Sequence, residues 1–339
     1  MMTRIGIVGT GHIASTYAHT AAANPGIVIS AVVSRDIERA RTFAQRFNIS
    51  IAADELKQVL GQVDCLYIST EPDRHAEAVR MALIAGCPVL VEKPLTIDPG
   101  ETRALFDLAA AHDTLLVEAI WTLLLPAYKA LHLQAKSPER LHFDFSVPVN
   151  GSQMPKLFLQ DTGGVLLDRA VYGLASAIDL LGPVETFWSE VTRDVDGVDT
   201  DAALLMRHQG GKQSLITLSF DFQGPNRLDL ACAEGTLSLG PTSLMPEVLS
   251  ATAARPALPG DPFRRNNLKD RLKQSQALRA IKRFWNGQSA QTFGFGAYPY
   301  GHMLQHFVDL VRAGEQQSEI VTPVMSCRIA EIVAEVRRN

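Results

Sequence analysis

The clearest chemical signal is a glycine-rich turn near the start of the chain, Gly9-Thr10-Gly11-His12-Ile13-Ala14. It follows the β-branched run RIGIV and precedes a helical pattern, the usual context of a dinucleotide-binding turn. Gly9 permits the tight turn, Gly11 lets backbone N–H groups approach a pyrophosphate, and Ala14 allows close packing of helix on strand. We predict a dinucleotide site here; a tight turn without a ligand is the alternative. His12 could meet the pyrophosphate or point to solvent, and solvent is favoured. The predicted contacts are Gly9, Gly11, His12, Ile13 and Ala14.

The residues after the second predicted strand, Ser34 and Arg35, bear on which dinucleotide is bound. An NAD site usually has Asp or Glu here, which accepts hydrogen bonds from the ribose hydroxyls. A guanidinium can instead hold a 2′-phosphate through charge-assisted hydrogen bonds worth roughly 1.5 to 3 kcal/mol each. The pattern therefore favours NADP, with NAD possible. The neighbouring Asp36 would argue for NAD, but its position predicts the N-cap of the next helix.

The elements that must position these residues alternate between short strands and helices over the first 122 residues, which predicts a parallel sheet covered on both faces. The expected strands are 4–8, 27–33, 65–69, 88–91 and 115–120, and the expected helices are 13–23, 36–47, 75–85 and 99–112. Longer, partly alternating runs follow and predict a mainly antiparallel sheet. Helices are expected near 164–181, 302–313 and 324–337. The fold class is α/β, with a doubly wound Rossmann domain at 1–122 and an α+β domain at 123–339. The last helix of the second domain could pack back on the first domain.

Composition excludes several classes of protein. The 339 residues are 46% hydrophobic and 20% charged, with a net charge of −4, so no global positive field exists to hold nucleic acid. No apolar run is long enough for a membrane span and no signal peptide is recognisable, so we expect no membrane partner and a cytoplasmic location. The four cysteines are scattered and form no metal-ligand spacing, so we expect reduced thiols and no metal.

One segment departs from this average charge. Residues 255–285 contain nine Lys or Arg and two acidic residues, a local excess of +7 that leaves about −11 for the rest of the chain. Apolar residues at roughly helical spacing predict a basic amphipathic helix in part of it. It could be a solvated or subunit-contact helix, a flap over a substrate cleft, or a nucleic-acid or membrane patch; the first is favoured because charge runs usually coat a solvated face.

Motifs along nearly the whole chain resemble those of the Gfo/Idh/MocA oxidoreductases. Besides the glycine turn they are Thr70 and His75 around a strand-to-helix turn, GCPVLVEKPL at 86–95, VEAIW at 117–121 with Pro126, and GGVLLDRAVY at 163–172. The likeness is greatest to the branch with dimeric dihydrodiol dehydrogenase, xylose dehydrogenases and glucose-fructose oxidoreductase. It implies a Rossmann domain, a second domain with an open, mostly antiparallel sheet, and a homodimer formed through that sheet. It also implies hydride transfer between NAD(P) and a hydroxyl or carbonyl carbon of a small polyhydroxylated compound.

The resemblance also implies roles for individual residues. Lys93 matches the family's Glu-Lys-Pro lysine, near nicotinamide and substrate hydroxyl, and Asp168 and Tyr172 match its D-x-G-x-Y pattern. Four positions apart on a helix, Asp168 and Tyr172 would share a face, and the Lys93 ammonium would lower the pKa of Tyr172, the expected proton donor and acceptor. A strand-end lysine, a packed tyrosine and a structural aspartate are the alternatives. Thr70, His75, Glu92 and Lys93 are the remaining expected cofactor contacts, with His75 expected chiefly to anchor its turn and Glu92 to bind backbone or cofactor-side groups.

Two departures from the family pattern concern the cleft. Ala170 stands where the family usually has Gly, which should narrow the space for substrate or cofactor, and Glu71 adds a carboxylate beside the expected cofactor site. The predicted function is an NADP-dependent dehydrogenase or reductase acting on a small sugar, polyol or cyclic trans-diol. The alternative is a non-catalytic NADP(H)-binding regulator of the same fold.

Overall fold

A computed structural model describes residues 2–254 and 288–338, and its first sheet has six parallel strands in the order β3-β2-β1-β4-β5-β6. This is the doubly wound order of a Rossmann domain, and it confirms the predicted fold class. The strands are almost continuously apolar because helices cover both faces of the sheet. Their bounds are β1 Thr3–Val8, β2 Ile27–Val33, β3 Ile51–Ala53, β4 Cys65–Ile68, β5 Val89–Val91 and β6 Leu116–Glu118.

Four helices connect these strands: α1 His12–Ala22, α2 Ile37–Phe47, α3 His75–Ile84 and α4 Pro99–Ala111. The Asp36 carboxylate caps α2 by accepting from two backbone N–H groups, at 3.0 and 3.3 Å, as the sequence predicted. Asp98 caps α4 by accepting from the backbone N–H of Glu101 at 2.9 Å. Because Asp36 is used as a cap, its neighbour Arg35 is the charged group left at the end of β2.

The second sheet has eight strands in the order β14-β13-β12-β11-β7-β10-β9-β8, antiparallel throughout except between β7 and β10. Helix α6 (Val171–Leu181) packs so closely on this sheet that a Cβ at Gly173 would lie 2.8 Å from Phe143 and 2.9 Å from Ile216. The strands are β7 Pro138–Ser146, β8 Val184–Arg193, β9 Asp199–His208, β10 Gln213–Ser219, β11 Leu228–Cys232, β12 Gly235–Gly240, β13 Val248–Ala253 and β14 Gln288–Thr292. Helix α5, Pro126–Gln134, lies against β12 and β13.

The last two helices, α7 (Gly301–Ala313) and α8 (Pro323–Arg338), return to the first domain. Helix α8 lies against α4, where Arg103 donates to Glu331 at 2.6 Å. The domain boundary expected at residue 122 falls in the short 3₁₀ turn Trp121–Leu124. The basic segment 255–285 lies outside the described residues. Among the described helices, none is long and apolar enough to cross a membrane.

Candidate active site

The glycine turn opens onto a groove of about 980 Å³ at the carboxyl edge of the first sheet, where β1 and β4 meet at the reversal of strand order. Gly9 has a φ of +114°, and a Cβ there would lie 2.9 Å from the carbonyl oxygen of Ser69. A Cβ at Gly11, the N-cap of α1, would meet no atom within 4 Å, so this helix terminus is open to the groove. The turn thus provides backbone N–H groups and space for a pyrophosphate.

One end of the groove is lined by Ser34, Arg35 and Arg39. Arg39 is in the first turn of α2 and Arg35 comes directly before the N-cap Asp36, so two exposed arginines from adjoining segments line this end of the groove. Sequence reasoning missed Arg39, although its position in the first turn after the Asp36 cap was a readable signal. Asp54 lines the same wall, and its carboxylate accepts from Gln58 at 3.1 Å. Two arginines beside a ribose position are suited to a phosphate group.

The other wall of the groove is formed by both domains. Thr70 and Glu71 come from the turn after β4, and the exposed Lys156 comes from the second domain. Lys156 forms an ion pair with Glu71, so a link between the domains crosses the groove. Nothing in the sequence pattern singled out Lys156, because the contact depends on how the two domains pack.

Lys93, Asp168 and Tyr172 lie together where β5 ends and α6 begins. The Lys93 ammonium donates to the Asp168 carboxylate at 2.9 Å and to its backbone carbonyl at 2.7 Å. The same ammonium is 5.0 Å from the centre of the Tyr172 ring. Asp168 is in a π-helical turn, Leu166–Ala170, that leads into α6, rather than in the regular helix that the spacing predicted. Such turns are frequent at functional sites. This one directs one carboxylate oxygen and the backbone carbonyl oxygen of Asp168 to Lys93.

The protonation of this group differs from the sequence expectation. Burial raises the pKa of Tyr172 and outweighs the opposing effect of Lys93, so the expected lowering of this pKa is wrong. Burial alone would lower the pKa of Lys93, but the charge of Asp168 and its hydrogen bond reverse this and raise it. At neutral pH the site therefore contains an ammonium ion and a neutral phenol, which can donate a proton.

Glu92 is buried and hydrogen-bonds within the protein interior, and it does not line the groove. Its buried carboxylate accepts from the Tyr67 hydroxyl at 2.7 Å and from the backbone N–H of Lys93 at 3.3 Å. Burial raises its pKa. The expected contact with backbone is present, and Glu92 thereby helps to orient the residue that follows it.

His75 is fully buried, and neither ring nitrogen is left for a cofactor. One nitrogen lies 3.1 Å from the carbonyl oxygens of Pro94 and Leu95, and the other lies 3.0 Å from that of Thr70. The assignment of His75 as a direct cofactor contact is therefore corrected. Its ring joins the Thr70 turn to the turn that follows Lys93, and burial lowers its pKa.

Further residues support the turn that carries Asp168. Asp199 accepts from the N–H of Leu166 at 2.7 Å and pairs with Arg337 of α8 at 3.4 Å. The Arg169 guanidinium lies between two aromatic rings, 4.4 Å from the centre of Phe145 and 4.5 Å from that of Phe220. Ala170 is fully buried, so the expected narrowing of the cleft by its methyl group is not observed.

An aromatic wall adjoins Tyr172. The Trp121 ring stands edge-on to Tyr172 at 6.1 Å and lies 4.8 Å from the half-buried Tyr300, measured between ring centres. Trp121 belongs to the VEAIW motif, whereas Tyr300 lies far along the chain in no recognised motif and joins it only through packing. Trp121 and Tyr172 are only 2% and 5% exposed, so of the three rings the half-buried Tyr300 presents the most surface to a ring-shaped substrate.

The predicted cofactor contacts divide into two sets. The groove brings together Gly9, Gly11, Ser34, Arg35 and Thr70. The others lie elsewhere: His12 is exposed at the helix start, Ile13 is half-buried, and Ala14 is fully buried against the sheet. Within residues 2–254 and 288–338, no cluster of three His, Cys, Asp or Glu side chains could hold a metal ion.

Comparisons with known proteins give consistent results. Residues 3–119 match the family model of the GFO/IDH/MocA oxidoreductases with an NAD-binding Rossmann fold, and residues 138–238 match that of the GFO/IDH/MocA C-terminal domain. The trans-1,2-dihydrobenzene-1,2-diol dehydrogenase of Mus musculus is 29% identical over 263 residues, covering 72% of this chain and 78% of the relative. That of Sus scrofa is 26% identical and covers 100% of this chain and 97% of the relative.

Two solved structures share the fold over the full chain. A 3-ketoreductase from Actinomadura kijaniata in complex with NADP and TDP-benzene has a TM-score of 0.79 at 22% identity, and the match covers 100% of this chain and 98% of that one. An oxidoreductase from Agrobacterium radiobacter in complex with NAD⁺, L-tartaric acid and magnesium has a TM-score of 0.80 at 18% identity, covering 100% and 97%.

Proposed function

The chain belongs to the Gfo/Idh/MocA family and is an NAD(P)-dependent oxidoreductase acting on CH–OH groups, and from this premise we propose that it uses NADP and oxidises or reduces a small cyclic trans-diol, sugar or polyol. The observation that carries the proposal is the convergence of Lys93, Asp168 and Tyr172 at the carboxyl end of β5, the strand that pairs with β4. The named activity of the Mus musculus and Sus scrofa relatives favours a cyclic trans-diol.

The groove supports a dinucleotide in its extended form. The open Gly11 terminus would hold the pyrophosphate, and Ser34, Arg35 and Arg39 would hold the ribose and its 2′-phosphate. A bound nicotinamide supplies or accepts the hydride. The chain's own contribution is to bind and orient the reactants and to move a proton.

In the proposed mechanism, the Tyr172 hydroxyl gives its proton to the substrate oxygen during reduction and takes one back during oxidation. The Lys93 ammonium lies 5.0 Å from the centre of the Tyr172 ring. It stabilises negative charge that develops on the phenol oxygen or on the substrate oxygen. Asp168 keeps this ammonium in place through its carboxylate and its carbonyl. General acid–base assistance of this kind is typically worth about 10²- to 10⁴-fold in rate.

Cofactor preference is tested by measuring kcat/KM with NADP(H) and NAD(H) for the wild type, Arg35→Ala and Arg39→Ala. Each variant should lose activity with NADP while retaining it with NAD, because only the 2′-phosphate contact is removed. Arg46→Ala, in the last turn of α2, is the matched control and should change neither value. A wild-type preference for NAD would contradict the proposal.

Substrate class is tested with a panel of cyclic trans-diols, aldoses, ketoses and inositols, followed by the absorbance of the reduced nicotinamide. Turnover of at least one cyclic or linear polyhydroxy compound is expected. Tight NADPH binding with no turnover across the panel would instead indicate the non-catalytic regulator.

We further propose a homodimer formed through the open face of the second sheet. A row of side chains crosses this face in register, from Trp188 to Leu205 to Leu215 to His142. Trp188 and Leu205 are 59% and 47% exposed, whereas α6 packs on the opposite face of the sheet at β7 and β10. Leu205→Glu should convert a dimer into a monomer in sedimentation analysis; a wild type that sediments as a monomer would refute this.

A cytoplasmic location is also part of the proposal. Its support is that all four cysteines are free thiols, three of them buried, as expected in a reducing compartment.

A further inference from the structure

The strand before the aromatic wall ends in a carboxyl group that the proposed mechanism does not use. Glu118, the last residue of β6, is only 3% exposed. One of its oxygens accepts from the backbone N–H of Leu95 at 2.9 Å. Leu95 is two residues beyond Lys93, so this hydrogen bond fixes the turn that carries the ammonium.

The same turn is held from its other side by His75, whose ring nitrogen lies 3.1 Å from the carbonyl oxygens of Pro94 and Leu95. Glu118 is thus the acceptor for the N–H of the turn, and His75 contacts its carbonyls. Removing Glu118 would free the one backbone N–H that keeps Leu95 in register with β6.

Glu118 also faces a small cavity of about 20 Å³. Its second oxygen and the hydroxyl of Ser326 are both buried and near enough to interact, but neither makes a hydrogen bond of ordinary geometry to a described residue. Ser326 is in α8, and both residues line the cavity. A cavity of this volume can hold one water, and two polar groups are the minimum that a buried water needs.

The walls of the cavity connect it to the active site. Pro94 and Leu95 line one side, directly after Lys93, and Leu166 and Leu167 line the other, directly before Asp168. Whatever fills the cavity therefore lies between the two segments whose separation sets the Lys93–Asp168 contact.

We propose that Glu118 is a positioning residue for Lys93: it holds the Lys93 turn through the N–H of Leu95, and it binds one water, shared with Ser326, that fills the cavity between the turn and the Asp168 segment. The inference rests on the proposed role of Lys93. The acid is protonated in this arrangement, with its O–H donated to the water and its other oxygen accepting from Leu95.

The surroundings support the protonated form. Burial raises the pKa of Glu118 to about 7. The Ser326 hydroxyl and the Leu95 N–H lower this pKa, but their effect is smaller than that of burial. The titratable groups that face Glu118 or its turn are Glu92, Lys93 and His75 from the first domain and Cys327 from α8. Glu92 and Lys93 act in opposite directions, so burial decides the result.

The first test is kinetic and uses three variants. Glu118→Leu removes the acceptor, and kcat should fall by up to about 10²-fold, the effect of a displacement near 1 Å, while the KM for NADP stays unchanged. Glu118→Gln keeps an oxygen for Leu95 and should retain most of the activity. Thr114→Val, a buried hydroxyl before the start of the same strand, is the control and should leave kcat unchanged. Equal kcat values for Glu118→Leu and Thr114→Val would overturn the proposal.

The second test needs neither cofactor nor substrate, so it distinguishes failure of this inference from failure of the proposed function. Infrared spectra of the apoprotein should contain the carbonyl band of a buried protonated acid that disappears near pH 7 and is absent from Glu118→Gln. A high-resolution crystal structure should contain a water between Glu118 and Ser326. In Glu118→Leu, the Lys93 to Asp168 distance should exceed 4 Å, the limit of an ion pair. An unchanged distance, or an acid that is ionised at pH 6, would contradict the inference.

Discussion

Replacing Lys93 with Met removes the ammonium but keeps the apolar stem, so it isolates the contribution of the contact with Asp168. The pair has two hydrogen bonds, of 2.7 and 2.9 Å, and its side chains are 14% and 28% exposed. Breaking a buried pair costs about 3–5 kcal/mol, and an exposed pair contributes about 0.2–1 kcal/mol. For this intermediate exposure we expect Lys93→Met to lower the free energy of unfolding by about 2 kcal/mol.

The contribution of the pair itself is measured by a double-mutant cycle. Lys93→Met leaves the Asp168 carboxylate with Arg169, at 3.8 Å, as its remaining cation, and Asp168→Asn leaves the ammonium without its countercharge. The double variant should therefore be more stable than the sum of the two losses implies, by about 1–2 kcal/mol.

The assay is urea unfolding of the four apoproteins, with Lys129→Met as a control at an exposed lysine of α5. The control should not change the unfolding midpoint. If the two losses add to within about 0.5 kcal/mol, Lys93 and Asp168 do not form the coupled pair on which the proposed mechanism depends.

Three further predictions follow from the same contacts. Lys156→Ala breaks the ion pair with Glu71 across the groove. Bound NADPH should then dissociate up to about fivefold faster in stopped-flow fluorescence, which corresponds to about 1 kcal/mol. An unchanged rate would show that the ion pair does not retain the cofactor. Asp199→Ala leaves the N–H of Leu166 and the Arg337 guanidinium without their carboxylate and should cost about 3–5 kcal/mol of stability, measured by urea unfolding. The folded pKa of Glu118 is about 7 and its ordinary value is 4.5, so the folded state binds more protons between these values; the contribution of Glu118 to stability should therefore fall by about 3 kcal/mol as pH rises from 4.5 to 7. Glu118→Gln should remove that fall, and an unchanged slope would contradict it.

Local patterns predicted the first domain well because its elements are defined by near neighbours. Strand β2 has the predicted bounds, and Asp36 caps α2 as its type and position indicated. Strand β3, only three residues long, was missed because it has too few residues for a pattern. Helix α5 was also missed, since its leucines follow an apolar run that continues directly from the first domain.

Site residues could be predicted only where they belong to contiguous sequence motifs. Lys93, Asp168 and Tyr172 were found because each lies in such a motif. Lys156 and Tyr300 were not, because they approach the site only through packing between segments that are far apart in the chain. The error in the Tyr172 pKa has the same origin: a sequence identifies a neighbouring charge, but the extent of burial, which dominates here, depends on the whole fold.

The central claim is that Tyr172 moves the proton while Lys93 and Asp168 hold the charge that makes this possible. It is tested most directly by single-turnover measurement of reduced-nicotinamide absorbance for the wild type and Tyr172→Phe, with NADPH affinity measured in parallel. We predict that the phenylalanine variant binds NADPH as tightly as the wild type and loses about 10²- to 10⁴-fold in the rate of turnover. A Tyr172→Phe protein that turns over at the wild-type rate would contradict it.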